Sequence, residues 1–360
     1  MNILIDIGHP AHVHLFKNYA KEMINRGHKV LFTCRDKEFE IYLLEFYGFE
    51  YKSFGKKYKS TAGKLLGMIK FDIQEFLTGL KFKPNLFLSH GSIYAAHASF
   101  LLRKPHIAFE DTFNFEQVKL YKPFTETILT GTYDHPLKSV KVVRFKGYHE
   151  LAYLHPKRYS PDKTVLDDLG VTEGDKYVVL RFVSWVASHD RGHSGISFEN
   201  KLKAIEEFSK YAKVFISSES ELPKELEQYR INIPAEKMHD ALYFASLHWA
   251  ESFTMPAECS ILGTPSIIMH NTDALYLKEQ EREYGLCFYY SESPKDQLAA
   301  IAKGAEILKK DLSKPYWLEK RDLLLKDHIN VTDFTVWFTE NYPKSKKIMQ
   351  NDPEYQLRFK

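Results

Sequence analysis

Short β-branched and aromatic runs alternate with longer helical stretches along most of the chain, and this alternation leaves few folds open. NILIDIG (2–8) reads as a buried strand, residues 12–26 as a helix, HKVLFTCR (28–35) as a strand and residues 38–47 as a helix. The rhythm continues through FEYKSF (49–54), a long helical stretch at about 61–82, NLFLSH (85–90), a helix over 93–103, HIAFED (106–111) and TETILTG (125–131). Strands joined through helices run parallel, because the crossover must pass over a face of the sheet. The first half is therefore expected to be a parallel sheet clothed in helices.

Around KGYHELAYLHPKRYSPD (146–162) the periodicity breaks, and Pro156 and Pro161 mark a connector. A second alternation follows: YVVLRFV (177–183), a helix over 198–211, KVFISSE (213–219), a helix over 240–245, LHWAES (247–252), the helical MPAECSILG (255–263), PSIIMH (265–270) and a helix near 275–284. The pattern predicts an N-terminal α/β domain over 1–155, a second over 156–317, and a helical segment over 318–360 with a charged, mobile end.

At 360 residues either half is long enough to bury its own core. The hydrophobic fraction of 44% and charged fraction of 27% fit neither disorder nor a membrane bundle. No run of eighteen apolar residues occurs, and MNILIDIG enters a strand pattern at once, so neither a signal peptide nor a membrane span is read. Cys34, Cys259 and Cys287 are odd in number and far apart, which fits reduced thiols and a cytoplasmic setting. A net charge of +3 is nearly balanced, and no nucleic-acid partner is expected. Lysines nevertheless concentrate in FGKKYKSTAGKLLGMIK (54–70) and at Lys81 and Lys83. That cluster is either a solvated helix face or a surface that meets anionic lipid or an anionic acceptor, so a peripheral contact at the inner membrane face is one expectation.

The turn after the first strand, DIGHPAHVHLF, places Gly8, His9, Pro10 and Ala11 where ligands bind in open α/β sheets. Small residues let a ligand approach the backbone, and the following helix N-terminus favours an anion. His9, His12 and His14 fall within six positions, and an imidazole titrating near neutrality suits a general base. Three such histidines also suggest zinc, but no HExxH, CxxC pair or carboxylate-rich partner accompanies them, and no metal is assigned. At least one is expected to be a surface or helix-capping residue, and His14 is assigned that role. Glu110 and Asp111 end another strand, where Asp111 is either an alternative base or part of a solvated turn.

In the second half, ESFTMPAECSILGTPSIIM (251–269) places Ser252 and Thr254 in a polar turn, Pro256 in the first turn of a helix and Gly263 at its end. Glu258, read as inside that first turn, either accepts hydrogen bonds from a ribose diol or simply satisfies the helix dipole. Arg181 lies within a strand, where a buried guanidinium needs an anion, either a diphosphate or a domain carboxylate. Ser184 leads the loop after it, Ser218 ends the next strand, and Asn271 and Asp273 in HNTDA (270–274) suit sugar hydroxyls.

The pairing of the AHVHLF loop with TMPAECSILGTPSI resembles the GT-B glycosyltransferase superfamily, and more closely a branch of predicted glycosyltransferases, the DUF354 family. The resemblance extends over nearly the whole chain, including GYHELAYLHPKRYSPD and LRFVSWVASHDRGHSGIS. It implies an α/β fold of two Rossmann-like domains facing across a cleft, related to the peptidoglycan N-acetylglucosaminyltransferase and the UDP-N-acetylglucosamine 2-epimerases. It further implies that His12 reaches the reacting centre, that Glu258 binds ribose, that backbone groups around Met238 contact the base, and that the loop with Ser184, His189 and Asp190 meets donor phosphates or acceptor. The chain departs from the transferase in having Gly8, His9 and Pro10 where a run of glycines stands. The expectation is a metal-independent glycosyltransferase needing no cofactor, with a nucleotide diphosphate sugar as donor and a glycan or lipid-linked acceptor. The alternatives are a nucleotide-sugar epimerase or hydrolase, or a nucleotide-sugar binding protein on the same fold.

Overall fold

The strand runs assemble into two parallel sheets in the computed structural model of the chain, which describes residues 1–56, 61–111, 114–183, 195–218, 221–310 and 312–360. The chain divides into two units, one formed by Met1–Arg158 with His328–Lys360 and the other by Tyr159–Asp327.

The first unit holds β1 (Asn2–Asp6), β2 (Lys29–Asp36), β3 (Tyr51–Lys56), β4 (Leu86–His90), β5 (His106–Phe109), β6 (Thr127–Gly131) and β7 (Val142–Phe145). Their order is β3-β2-β1-β4-β5-β6-β7 and every pairing is parallel. Ile3, Leu4 and Ile5 of β1 are fully buried, as expected of a central strand covered on both faces. Because β1 lies between β2 and β4, the direction of winding reverses there, and the carboxyl ends of β1 and β4 border the crevice where such sheets hold ligands.

The second unit holds β8 (Tyr177–Phe182), β9 (Lys213–Ser218), β10 (Leu247–Ala250), β11 (Ser266–Met269) and β12 (Cys287–Tyr290), in the parallel order β12-β11-β10-β8-β9. Winding reverses between β8 and β10, where Arg181 stands in register with Ala250. Trp249 of β10 is fully buried, edge-on to Phe208 and Phe182.

Sequence periodicity did not reveal β7 or β12. Both are four-residue strands at a sheet edge and only partly buried, whereas the equally short β5, β10 and β11 are fully buried and were read.

The segment expected as a separate tail from 318 is divided between the two units. The helix Lys314–Asp327 stays with the second, where the Lys314 ammonium donates to the carbonyls of Tyr243, Leu262 and Gly263 at the ends of two helices. From His328 the chain belongs to the first unit, and Tyr19 donates to Thr339 at 3.0 Å. The charged end, expected to be mobile, is packed: Tyr355 stacks on Trp337, Phe359 packs tilted against it, and Gln356 is buried.

Candidate functional site

At the carboxyl end of β1 the sequence places an acid, Asp6, inside an otherwise apolar strand, and burial forces it to find partners. It pairs with Arg35 from the end of β2, accepts from Thr33 at 3.0 Å, and accepts from Ser92 after β4. Arg35 is also buried and lies over the Tyr94 ring. A Cβ at Gly8 would meet the guanidinium at 2.8 Å. Gly8 is therefore small to admit Arg35, whereas its sequence context suggested room for a ligand.

The three histidines separate into different roles. His9 is the N-cap of the helix Pro10–Asn25, where its Nδ1 accepts from the Ala11 N–H at 3.1 Å, and its Nε2 lies 3.5 Å from Glu38. His14, the expected capping residue, is instead buried and stacked on Tyr153, because the helix turns that position inward. His12 stacks on His90 with ring centroids 4.5 Å apart, and its Nδ1 accepts from the Gly8 N–H at 3.2 Å. Burial, then His90 and His9, hold His12 well below the usual histidine range, so it is neutral near pH 7. With Nδ1 engaged as an acceptor, neutral His12 carries its proton on Nε2 and presents a donor. That is the opposite of what a general base requires.

Asp111, read from sequence as an alternative base or a solvated turn, lies at the centre of the array. It accepts from His90 Nε2 at 2.8 Å and from His149 Nδ1 at 2.9 Å. Its neighbour Glu110 is buried and accepts from Tyr121. Burial alone would raise the Asp111 carboxyl, but His149 and His90 outweigh it and hold Asp111 well below the carboxylate range. Burial likewise opposes charge on His90, yet Asp111 offsets it and the net shift of His90 is upward. Asp111 is thus a carboxylate that favours the protonated form of His90. His90 and His149 were passed over in the sequence because each sits in an ordinary run, NLFLSH and GYHE, and only the strand ends bring them to Asp111.

His90, Asp111 and His149 also form the group among the described residues whose ligand atoms, all within 4.8 Å of one another, have a metal-like arrangement. Metal bonding at His149 Nδ1 would move its proton to Nε2, which is buried with no hydrogen-bond partner. An unsatisfied buried donor costs about 1–3 kcal/mol, a cost that binding of a cation there would have to offset.

In the second unit the helix begins at Thr254, earlier than the sequence suggested. Pro256 is its third residue and Glu258 its fifth, one residue deeper than read and just past the first turn. Glu258 is buried and 3.0 Å from Nε2 of His239, itself buried in the helix Met238–Phe244. Ser252, Thr254 and Met238 are half-buried near the starts of these two helices. Arg181, half-buried, donates to Ser217 at 2.9 Å, and the half-buried Ser218 ends β9. Asn271 and Asp273 are exposed but locally engaged: Asn271 Oδ1 accepts from the Glu292 N–H at 2.9 Å, and Asp273 pairs with Lys278 at 2.5 Å. Ser184, His189 and Asp190 lie outside the described residues. Glu251, unnoticed in the sequence, is buried at the end of β10 and accepts from the N–H groups of Val183 and Ile196, on either side of that loop.

Comparison with known proteins matches residues 1–289 to the model of a family described as protein of unknown function, DUF354. A relative from Methanocaldococcus jannaschii, the uncharacterized protein MJ0665, is 26% identical over 302 residues, covering 78% of this chain and 86% of its own length. Among solved structures, the UDP-GlcNAc 2-epimerase from Neisseria meningitidis bound to UDP-GlcNAc is similar with a TM-score of 0.67 at 14% identity, covering 98% of this chain and 99% of that one. The glycosyltransferase VinC in complex with DTDP is similar with a TM-score of 0.59 at 11% identity, covering 96% and 100%. At these identities the likeness shows the fold, a GT-B type α/β architecture.

Proposed function

We propose, from the premise that this chain belongs to the DUF354 family, that it transfers a sugar from a nucleotide diphosphate sugar to a hydroxyl of a glycan or lipid-linked acceptor. The observation that carries this reading is the buried Glu258 in the helix that follows β10, with one carboxylate oxygen held by His239 at 3.0 Å. A fixed carboxylate suits a ribose diol, which offers two O–H donors. The free N–H groups of the helix from Thr254, with the Arg181 guanidinium, suit the negative charge of a diphosphate. Two fold neighbours bear UDP-GlcNAc and DTDP, which supports a nucleotide-linked ligand here. As the new bond to the sugar forms and the diphosphate departs with the old one, the acceptor hydroxyl must lose its proton. Neutral His90, with Nε2–H on Asp111, takes it at Nδ1, and His12 donates from Nε2. Charge on the leaving diphosphate is met by Arg181 and helix N–H groups, without a requirement for metal.

Glu258→Gln is expected to weaken nucleotide binding by about 1–3 kcal/mol, the scale of a charge-assisted hydrogen bond, while circular dichroism stays unchanged. Calorimetry with UDP, GDP and dTDP reads this directly, and equal affinity in both proteins would remove Glu258 from the site.

A second reading, an epimerase or hydrolase of nucleotide sugars, is favoured by one feature: Asp111 favours the protonated form of His90, so an acid and a carboxylate can share one array. Incubating a nucleotide-sugar panel without acceptor separates the two. Release of free nucleotide with an altered sugar supports the second reading, and an unchanged donor supports transfer.

A further inference from the structure

The helix Thr61–Phe82 buries one face and leaves an apolar one in solvent. Gly67, Phe71 and Glu75 face inward, and Gly79 packs so closely that a Cβ there would meet Leu102 at 2.5 Å. On the other side Leu66, Ile69, Ile73, Leu77 and Leu80 are 47–66% exposed. Spacings of three and four residues place them in one stripe, about 21 Å long at 1.5 Å per residue. Phe100 and Leu101, at the end of the helix Ile93–Leu101, are exposed as well. Scattered apolar residues on a surface need no explanation, but a continuous stripe marks a contact.

The charge around the stripe identifies that contact. Between Lys52 and Lys83 the sequence carries eight lysines and two acids, Asp72 and Glu75. Asp72 pairs with His97 at 3.1 Å, and Glu75 is fully buried. Among the described residues of the helix the outward charge is therefore positive, carried by Lys70 and Lys81. At about 100° per residue, Lys70 and Lys81 fall on the same flank, about 60° and 80° from Ile73. A second copy packed antiparallel on this stripe by two-fold symmetry would align the lysines of both molecules along one rim. Anionic headgroups would instead oppose each lysine with a negative charge. No helix among the described residues is long and apolar enough to cross a membrane, so any membrane contact of this face lies along the surface.

We propose that the outer face of the helix Thr61–Phe82 seats the protein on an anionic bilayer surface, its aliphatic stripe at the boundary of headgroups and acyl chains and its lysines on the phosphates. This holds whether the protein is a transferase or an epimerase. The experiment is flotation of the full chain with phosphatidylcholine vesicles, with and without phosphatidylglycerol, at low and high salt. Binding is expected to be at least about tenfold stronger with phosphatidylglycerol and to fall with salt. The double variants Ile73→Asp, Leu77→Asp and Lys70→Glu, Lys81→Glu should each lose it with unchanged thermal melts. A fluorophore on Ile73→Cys should shift to the blue only on anionic vesicles, which reads the same contact without removing the stripe. Absence of vesicle binding by the parent protein overturns the proposal. So does a vesicle-indifferent dimer that the Ile73→Asp, Leu77→Asp variant converts to monomer.

Discussion

Asp111→Asn is expected to lower turnover by about 10²- to 10⁴-fold while nucleotide affinity stays within about twofold of the parent. The asymmetry follows from position: Asp111 belongs to the first unit, whereas the groups assigned to the nucleotide belong to the second. The pH profile gives the sharper test. His90 is held above its usual value of 6.5 by Asp111 against the effect of burial. If neutral His90 is the base, parent activity rises as pH climbs through a value above 6.5, and the Asn variant moves that limb to lower pH. If His90 acts as an acid, as the second reading requires, activity falls through the same window. For stability the sign is fixed. The raised His90 contributes stability fully present below 6.5 and lost as pH rises through its folded value, whereas the depressed Asp111 contributes stability present above 3.8 and lost as pH falls through its own. Histidine NMR of parent and variant reads the shift of His90 directly. Parent-like turnover in Asp111→Asn would sink the acid–base assignment.

The second large effect concerns the pair beneath the loop. Arg35→Met should destabilise the first unit by about 3–5 kcal/mol, because Asp6 would remain buried without its cation. The remaining donors, Thr33 and Ser92, carry no charge to oppose it. The double variant Asp6→Leu, Arg35→Met should recover a large part of the loss, since an apolar pair leaves no charge uncompensated. Denaturant unfolding followed by hydrogen exchange in β1 and β2 isolates this unit from the other. A single variant as stable as the parent would mean that the pair is open to water.

The sequence made the two parallel sheets legible because buried strands of such sheets are continuous apolar runs, as in NILIDIG and YVVLRFV, and the helices between them dictate parallel crossovers. The same periodicity was silent on β7 and β12. Glu258 was visible as a carboxylate between Pro256 and Gly263, although its depth in the helix and its histidine partner were not. Ser184 and the loop around it lie outside the described residues.

By itself the sequence determined element type, the order of alternation and the strand ends at which polar groups collect, since all three follow from neighbours close along the chain. Tertiary structure alone decided which of those groups meet. His90, Asp111 and His149 lie far apart in sequence and touch because β4 and β5 are adjacent and the connector after β7 returns over their ends. Among the three early histidines, spacing offered equal candidates. The helix geometry made His9 a cap, turned His14 into the core and left His12 against His90, with its Nδ1 already committed to the Gly8 N–H. A residue's chemistry depends on its protonation and partners, and those are fixed by atoms that proximity in sequence does not supply.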